Sequence, residues 1–144
     1  ASSVRREGRP ARSETKALAH GLRGAAAASL LAVRIATGRR HQIRVHTAHV
    51  GHPTLTDSKY TAVAATYAAD CKWCPRNFLH RYRLAFRDAS GGAQEATAAL
   101  PSELRPAVAQ LRPRGRASEQ ALHELLSPSG PPAWEVCSAL VPAR

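Results

Sequence analysis

Thr37-Gly38-Arg39-Arg40-His41-Gln42-Ile43-Arg44-Val45-His46 packs three arginines and two histidines into ten residues. Just before it, Ser29 to Ala36 alternates Leu31, Val33 and Ile35 with Ala32 and Arg34, the period of a β-strand. Gly38 breaks that strand. Just after it, Arg39 to Val50 reads as a helix with Ile43, Thr47, Ala48 and Val50 on one side. Arg40 and Arg44 then stand one turn apart on another face. Gly51 supplies a C-terminal stop, with Pro53 two residues beyond. His46 and His49 lie near the end of that helix, where a protonated imidazole is favoured. Dense positive charge on a structured element fits a surface that grips a polyanion.

The rest of the chain supports a single domain of mixed type. Its 144 residues are 44% hydrophobic but only 5% aromatic, and many of the apolar residues are alanines, so the core is modest. The net charge is +11, and lysine occurs only at Lys16, Lys59 and Lys72. Arginine therefore supplies most of the charge, and its planar fork suits phosphate. A genomic bias toward arginine and alanine codons would also raise the count outside the motif, but it does not explain the order within it. Three cysteines make no disulfide framework, so a reducing compartment, cytoplasmic or organellar, is expected. No run approaches ~18 apolar residues, so no membrane helix is expected.

Further elements follow from pattern. Ser13 to His20 reads as a strand, and Gly21 to Gly24 as a turn. The four alanines from Ala25 to Ala28 are ambiguous between helix propensity and shortness. Thr61 to Ala69 reads as a short helix or a loop. Phe78 to Arg87 reads as a strand with Phe78, His80, Tyr82, Leu84 and Phe86 on one face. Ser90-Gly91-Gly92 reads as a turn, Gln94 to Leu100 as a weak strand, and Pro101 to Leu111 as a helix. The organisation is a polar lead-in (residues 1–12), one domain (13–111), and a linker with a C-terminal extension (112–144). Within the last part, Ala121, Leu122, Leu125 and Leu126 fall at helical spacing.

Three ordered blocks carry a family resemblance. The decapeptide resembles the TGRTHQIRVH block of the RluA-type RNA pseudouridine synthases. His49-Val50-Gly51-His52-Pro53 with Asp57-Ser58-Lys59-Tyr60 is similar to that family's HxGHP…GDPKY stretch, and Arg76 to Leu84 to its RLxLHAxxL block. The resemblance implies an α+β fold with a mixed, largely antiparallel sheet and flanking helices. It implies an isomerase that cuts the bond between uracil N1 and the ribose, turns the base and rejoins it through C5, with no cofactor and no metal. The target uridine is flipped out of the RNA.

Residue by residue, the resemblance assigns Arg44 to the arginine that pairs with the family's catalytic aspartate and keeps it ionised. Arg76 and Leu79 match positions beside the substrate pocket. Arg39 and Arg40 are expected to contact the RNA backbone, although the family carries threonine where Arg40 stands. His41 and Gln42 are expected to position the helix start, and Tyr60 to serve packing. Asp57 matches a residue of the second block, not the nucleophile. The nucleophile's own block lies well before the decapeptide in the family, and the 36 residues before Thr37 contain no aspartate. The chain is thus expected to be the C-terminal part of a catalytic domain, inactive alone, with RNA (ribosomal or organellar) and the missing N-terminal half as partners.

Two other readings stay open on the residues alone. One is a non-catalytic RNA-binding remnant or ribonucleoprotein subunit. The other is a small zinc-binding RNA module using Cys71 and Cys74 with histidines.

Overall fold

In the computed structural model, residues 2–128 and 130–140 are described, and the chain divides into two units. One comprises Ala1–Lys16 and Leu31–Leu79, the other Ala17–Leu30 and His80–Arg144. The described elements are β1 (Ser13–Arg23), β2 (Ala26–Ile35), α1 (Gln42–His49), α2 (Ala64–Cys71), β3 (Arg83–Arg87), β4 (Ala93–Thr97), α3 (Arg105–Ala109), β5 (Arg112–Pro113) and α4 (Arg116–Leu126). Helices and antiparallel pairs occur together, which is the expected α+β class. No described helix is long and apolar enough to cross a membrane.

In the first unit, the decapeptide forms a connector and then a helix. α1 starts at Gln42 rather than at Arg39, because His41 sits in the left-handed region with φ 56°. Arg39 and Arg40 therefore precede the helix. Its buried residues are Gln42, Val45 and Thr47, whereas Val50, expected on the apolar side, is 67% exposed. The reason is polar: the Gln42 amide is the anchor that sets the helix rotation, as described below. Gly51 ends α1 with φ 85°, and the His52 N–H donates to the Thr47 carbonyl across it. α2 forms where the sequence allowed a helix or a loop, with none of its residues buried.

A three-stranded sheet has the order β2-β1-β5, and residues 17–30 of β1 and β2, with all of β5, belong to the second unit. The turn between β1 and β2 is Gly24-Ala25, with Gly24 at φ 58°. Gly21 is not in that turn. It lies within β1, where a Cβ would meet Leu111 Cβ at 3.1 Å and the Arg112 oxygen at 3.4 Å, so glycine admits β5 at close range.

Residues 112–116, expected as a linker, hold β5 and the Gly115 cap of α4. β5 pairs antiparallel with β1 through Gly21↔Pro113 and Leu22↔Arg112. Such pairing joins residues about ninety positions apart and leaves no local signal. The apolar core of this unit gathers Leu18, Ala19, Leu100, Leu104, Ala107, Val108, Leu122 and Leu125.

β3 covers only the second half of the strand expected over Phe78–Arg87. The Phe78 N–H is committed to the Leu55 carbonyl and the Leu79 N–H to the Asn77 carbonyl, so those residues cannot join a ladder. β3 and β4 pair antiparallel around a turn in which Asp88 Oδ1 accepts from the Ser90 and Gly92 N–H groups. Leu84 and Phe86, expected to share one face of the strand, are 43% and 46% exposed.

Leu104 is fully buried in the second unit. Leu104→Ala is expected to lower the free energy of unfolding by about 3 kcal/mol, from lost transfer energy and a residual cavity. The shift in urea midpoint at constant slope measures it.

Candidate functional site

The centre of the first unit is a carboxylate. Asp57 is completely shielded from solvent, and its two oxygens accept five hydrogen bonds. Arg44 grips it with both arms of a fork: Nη2 donates to Oδ1 at 2.6 Å and Nε to Oδ2 at 2.8 Å. The Lys59 and Tyr60 N–H groups each donate to Oδ1 at 3.0 Å, and the Thr54 hydroxyl donates to Oδ2 at 3.2 Å. Burial by itself raises the carboxyl pKa. The Arg44 hydrogen bonds and the two backbone N–H groups outweigh it and bring the group from 3.8 down to about 2. In return, the hydrogen bond to Asp57 raises the Arg44 pKa against its own partial burial.

The arginine is held on a second side by an aromatic ring. The Arg44 guanidinium carbon lies 5.1 Å from the Tyr60 ring centroid, within range of a cation–π contact. The Tyr60 hydroxyl shares a hydrogen bond of 3.0 Å with His41 Nδ1, and the two rings meet edge to face. Partial burial and then the charges of Arg44, Lys59 and Arg40 lower the His41 pKa, against the opposing pull of Asp57. His41 is thereby biased toward the neutral ring beside the fixed cations.

Gln42 sets the strand-to-helix junction. Its Oε1 accepts from the Thr37 hydroxyl at 2.7 Å and from the Arg39 N–H at 3.1 Å. Its Nε2 donates to the Arg12 carbonyl at 2.9 Å and to the Ser13 hydroxyl at 3.1 Å. The buried amide thus uses both ends and ties the start of α1 to the start of β1. His46 Nδ1 adds a 3.0 Å hydrogen bond to the same Ser13 hydroxyl.

The third sequence block arrives through Asn77. Its Nδ2 donates to the Thr54 hydroxyl at 2.7 Å, and that hydroxyl in turn donates to Asp57. Arg76 turns its Nη1 back toward the Asn77 and Leu79 carbonyls, at 3.2 and 3.5 Å. Leu79 is 36% exposed. Arg39 and Arg40 are exposed and make no ion pair among the described residues. Arg44, Arg76 and Leu79 are thus joined through one chain of hydrogen bonds from Arg44 to Asp57, Thr54 and Asn77, while Arg39 and Arg40 stand outside it.

Thr56 carries the backbone strain of this arrangement. It is β-branched, 6% exposed, and held at φ 54°, a left-handed conformation costly for such a residue. Its hydroxyl donates to the Cys74 carbonyl at 2.9 Å, and its N–H reaches Asp70 Oδ2 at 3.4 Å. The bend it makes leads directly into Asp57. Cys74 is fully buried, with its thiol donating to the Arg76 carbonyl, whereas Cys71 is exposed. Among the described residues, no three His, Cys, Asp or Glu side chains cluster as a metal would require.

Residue-by-residue reading of the sequence missed the roles of Thr54, Thr56 and Asn77 and the acceptor role of Asp57. One signal was present. An aspartate whose side chain bonds the backbone N–H groups two and three residues on is a turn signature, and Asp57-Ser58-Lys59-Tyr60 has that form.

Asp57→Asn is expected to cost about 3 kcal/mol near neutral pH, because Arg44 loses its counter-charge. The folded carboxyl titrates below its ordinary value, so its stabilisation is complete above 3.8 and is lost as pH falls through about 2. Urea unfolding at several acidic pH values should show the gap between wild type and Asp57→Asn narrowing by about 2 kcal/mol over that window.

No protein-family model matches the chain. Over 87 residues it is 40% identical to an uncharacterized RNA pseudouridine synthase of Chloroflexus aurantiacus, covering 60% of this chain and 26% of that protein. A 60-residue stretch is 47% identical to a MATH and LRR domain-containing protein of Plasmodium falciparum, covering 42% of this chain and 1% of that protein. The fold superposes on human RNA pseudouridylate synthase domain containing 1 with a TM-score of 0.61 and 25% identity, covering 87% of this chain and 49% of that one. The chain therefore spans about a quarter of the bacterial relative and about half of the human structure. With the three motif blocks meeting at Asp57, the chain is similar in sequence to RNA pseudouridine synthases over the matched residues and shares the fold of the human domain.

Proposed function

We propose that this chain supplies the arginine-bearing part of an RNA uridine-to-pseudouridine isomerase, the nucleophilic aspartate coming from a segment outside it. The observation that carries this reading is the convergence of three separate sequence blocks on one guanidinium, through Asp57, Thr54 and Asn77. Arg44 spends Nε and Nη2 on Asp57, and Nη1 has no protein acceptor among the described residues. The side chain as a whole is 21% exposed. We assign Nη1 to the incoming catalytic carboxylate.

The division of labour follows from charge. Asp57 fixes the orientation of the fork and Tyr60 covers one of its faces. A carboxylate meeting Nη1 stays ionised and aimed, as attack on a sugar or a base requires. Arg39 and Arg40, exposed ahead of the helix, neutralise backbone phosphates beside the flipped nucleotide. Leu79 and the segment braced by Arg76 form an apolar wall for the base. The substrate is RNA, ribosomal or organellar. The segment that carries the nucleophile is the N-terminal half of the domain, on the same polypeptide or on another.

This polypeptide alone is expected to form no pseudouridine on any RNA, and turnover by it alone would overturn the assignment of the nucleophile to another segment. Joined to a segment carrying that aspartate, it is expected to turn over. Arg44→Lys in the joined protein should then lower kcat by at least about 100-fold, since a point charge cannot replace the fork. Unchanged kcat in Arg44→Lys would remove Arg44 from the mechanism.

A further inference from the structure

Away from the decapeptide, the second unit carries another group of cations whose backbone is fixed. We propose that Arg112, Arg114 and Arg116 form a second RNA phosphate-binding face, an inference that rests on RNA being the substrate. All three are exposed, and none makes an ion pair among the described residues.

Their geometry differs from that of a flexible basic tail. Arg112 pairs with Leu22, and the Arg114 N–H extends the ladder by donating to the His20 carbonyl at 2.8 Å. Alternate residues of an extended segment face the same way, so Arg112 and Arg114 share a side with Leu22 and His20. The next turn is fixed too. The His20 N–H donates to the hydroxyl of Ser118, a residue of α4 that is 1% exposed. His20 thus holds Arg114 with its carbonyl and α4 with its N–H. An arginine on a pinned backbone loses less freedom on meeting a phosphate than one on a loose segment.

The placement also works against the fold. Arg114 and Arg116 flank the start of α4, an 11-residue helix, where the helix dipole disfavours cations. Only Glu119 offsets them within the first turn. β1 and β2 beside this face contribute no acid between Ala17 and Leu30. Unpaired cations at the positive end of a helix bring no stability, and an incoming polyanion would relieve their repulsion. That complementarity selects RNA as the occupant.

Binding of the full chain to a fluorescein-labelled single-stranded RNA and to an RNA hairpin, followed across a KCl series, tests the proposal. Arg112→Gln/Arg114→Gln should weaken binding and reduce the log–log salt slope by about 1.4 for the single strand, the loss of two phosphate contacts. Its melting temperature should be unchanged or higher. Arg5→Gln/Arg9→Gln removes the same net charge from the lead-in and should shift the slope less. An unaltered slope in Arg112→Gln/Arg114→Gln, or equal slopes in the two double variants, would overturn the face. Arg39→Gln/Arg40→Gln separates the two readings. If it weakens binding while the 112/114 variant does not, the second face alone is wrong. If the wild-type chain binds neither RNA, the RNA reading itself falls.

Discussion

A carboxylate with no access to water is tolerated only if donors replace the water it has lost, and Asp57 meets that demand with five hydrogen bonds, two of them from one bidentate cation. The desolvation cost is several kcal/mol for such an ion, so the donors cannot be partly present. Arg44 must come from α1, Thr54 and the Lys59 and Tyr60 amides from the loop after it, and Asn77 must brace Thr54 from a third segment. One charge therefore dictates where three pieces of chain lie. The strained Thr56 is a consequence, since its left-handed bend brings the backbone into Asp57 and its buried hydroxyl clamps the bend to Cys74.

The two units use different means of cohesion. In the first, Gln42, Thr47, Thr56 and Asp57 are buried beside only Ala32, Val45 and Cys74 among the apolar residues. In the second, Ser118 is the buried polar residue among the described ones, within a set of leucines and alanines joined by Val108 and Cys137. Area burial has no directional preference and tolerates repacking. A network of charged and amide donors demands one geometry. The unit whose guanidinium is held by a two-armed ion pair is organised by the second means, and its buried polar residues lie there.

How much of this was legible beforehand depends on distance along the chain. β1, β2, the stop at Gly51 and the turn near Gly91 follow from period and from glycine chemistry within a few residues. The blocks that meet at the site were visible as blocks, and Arg44 was singled out. What they meet on was not, because an aspartate reads the same on a solvated loop and at the centre of a network. The local pattern starts α1 three residues too early because arginine and histidine are acceptable helix formers, whereas Gln42 fixes the true start by reaching Arg12 and Ser13, some thirty positions away. β5 carries no local signal for the same reason: its order comes from Gly21 and Leu22, about ninety positions away.

Charge is deployed along the same divide. A net charge of +11 on 144 residues costs stability through self-repulsion, and pairing with acids would relieve it. The chain has ten acidic residues, and Arg12, Arg34, Arg44 and Arg83 are among the cations that pair with them. Arg12 and Arg34 both pair with Glu14, where exposure keeps the gain small. The fully buried acid, Asp57, is given to Arg44, whose orientation matters most. Arg39 and Arg40 keep their charge unneutralised on fixed backbone, which raises their attraction for phosphate. A stability-driven distribution would spread acids among the arginines. This one concentrates its strongest pairing on one side chain and leaves Arg39 and Arg40 facing outward, open to an external polyanion.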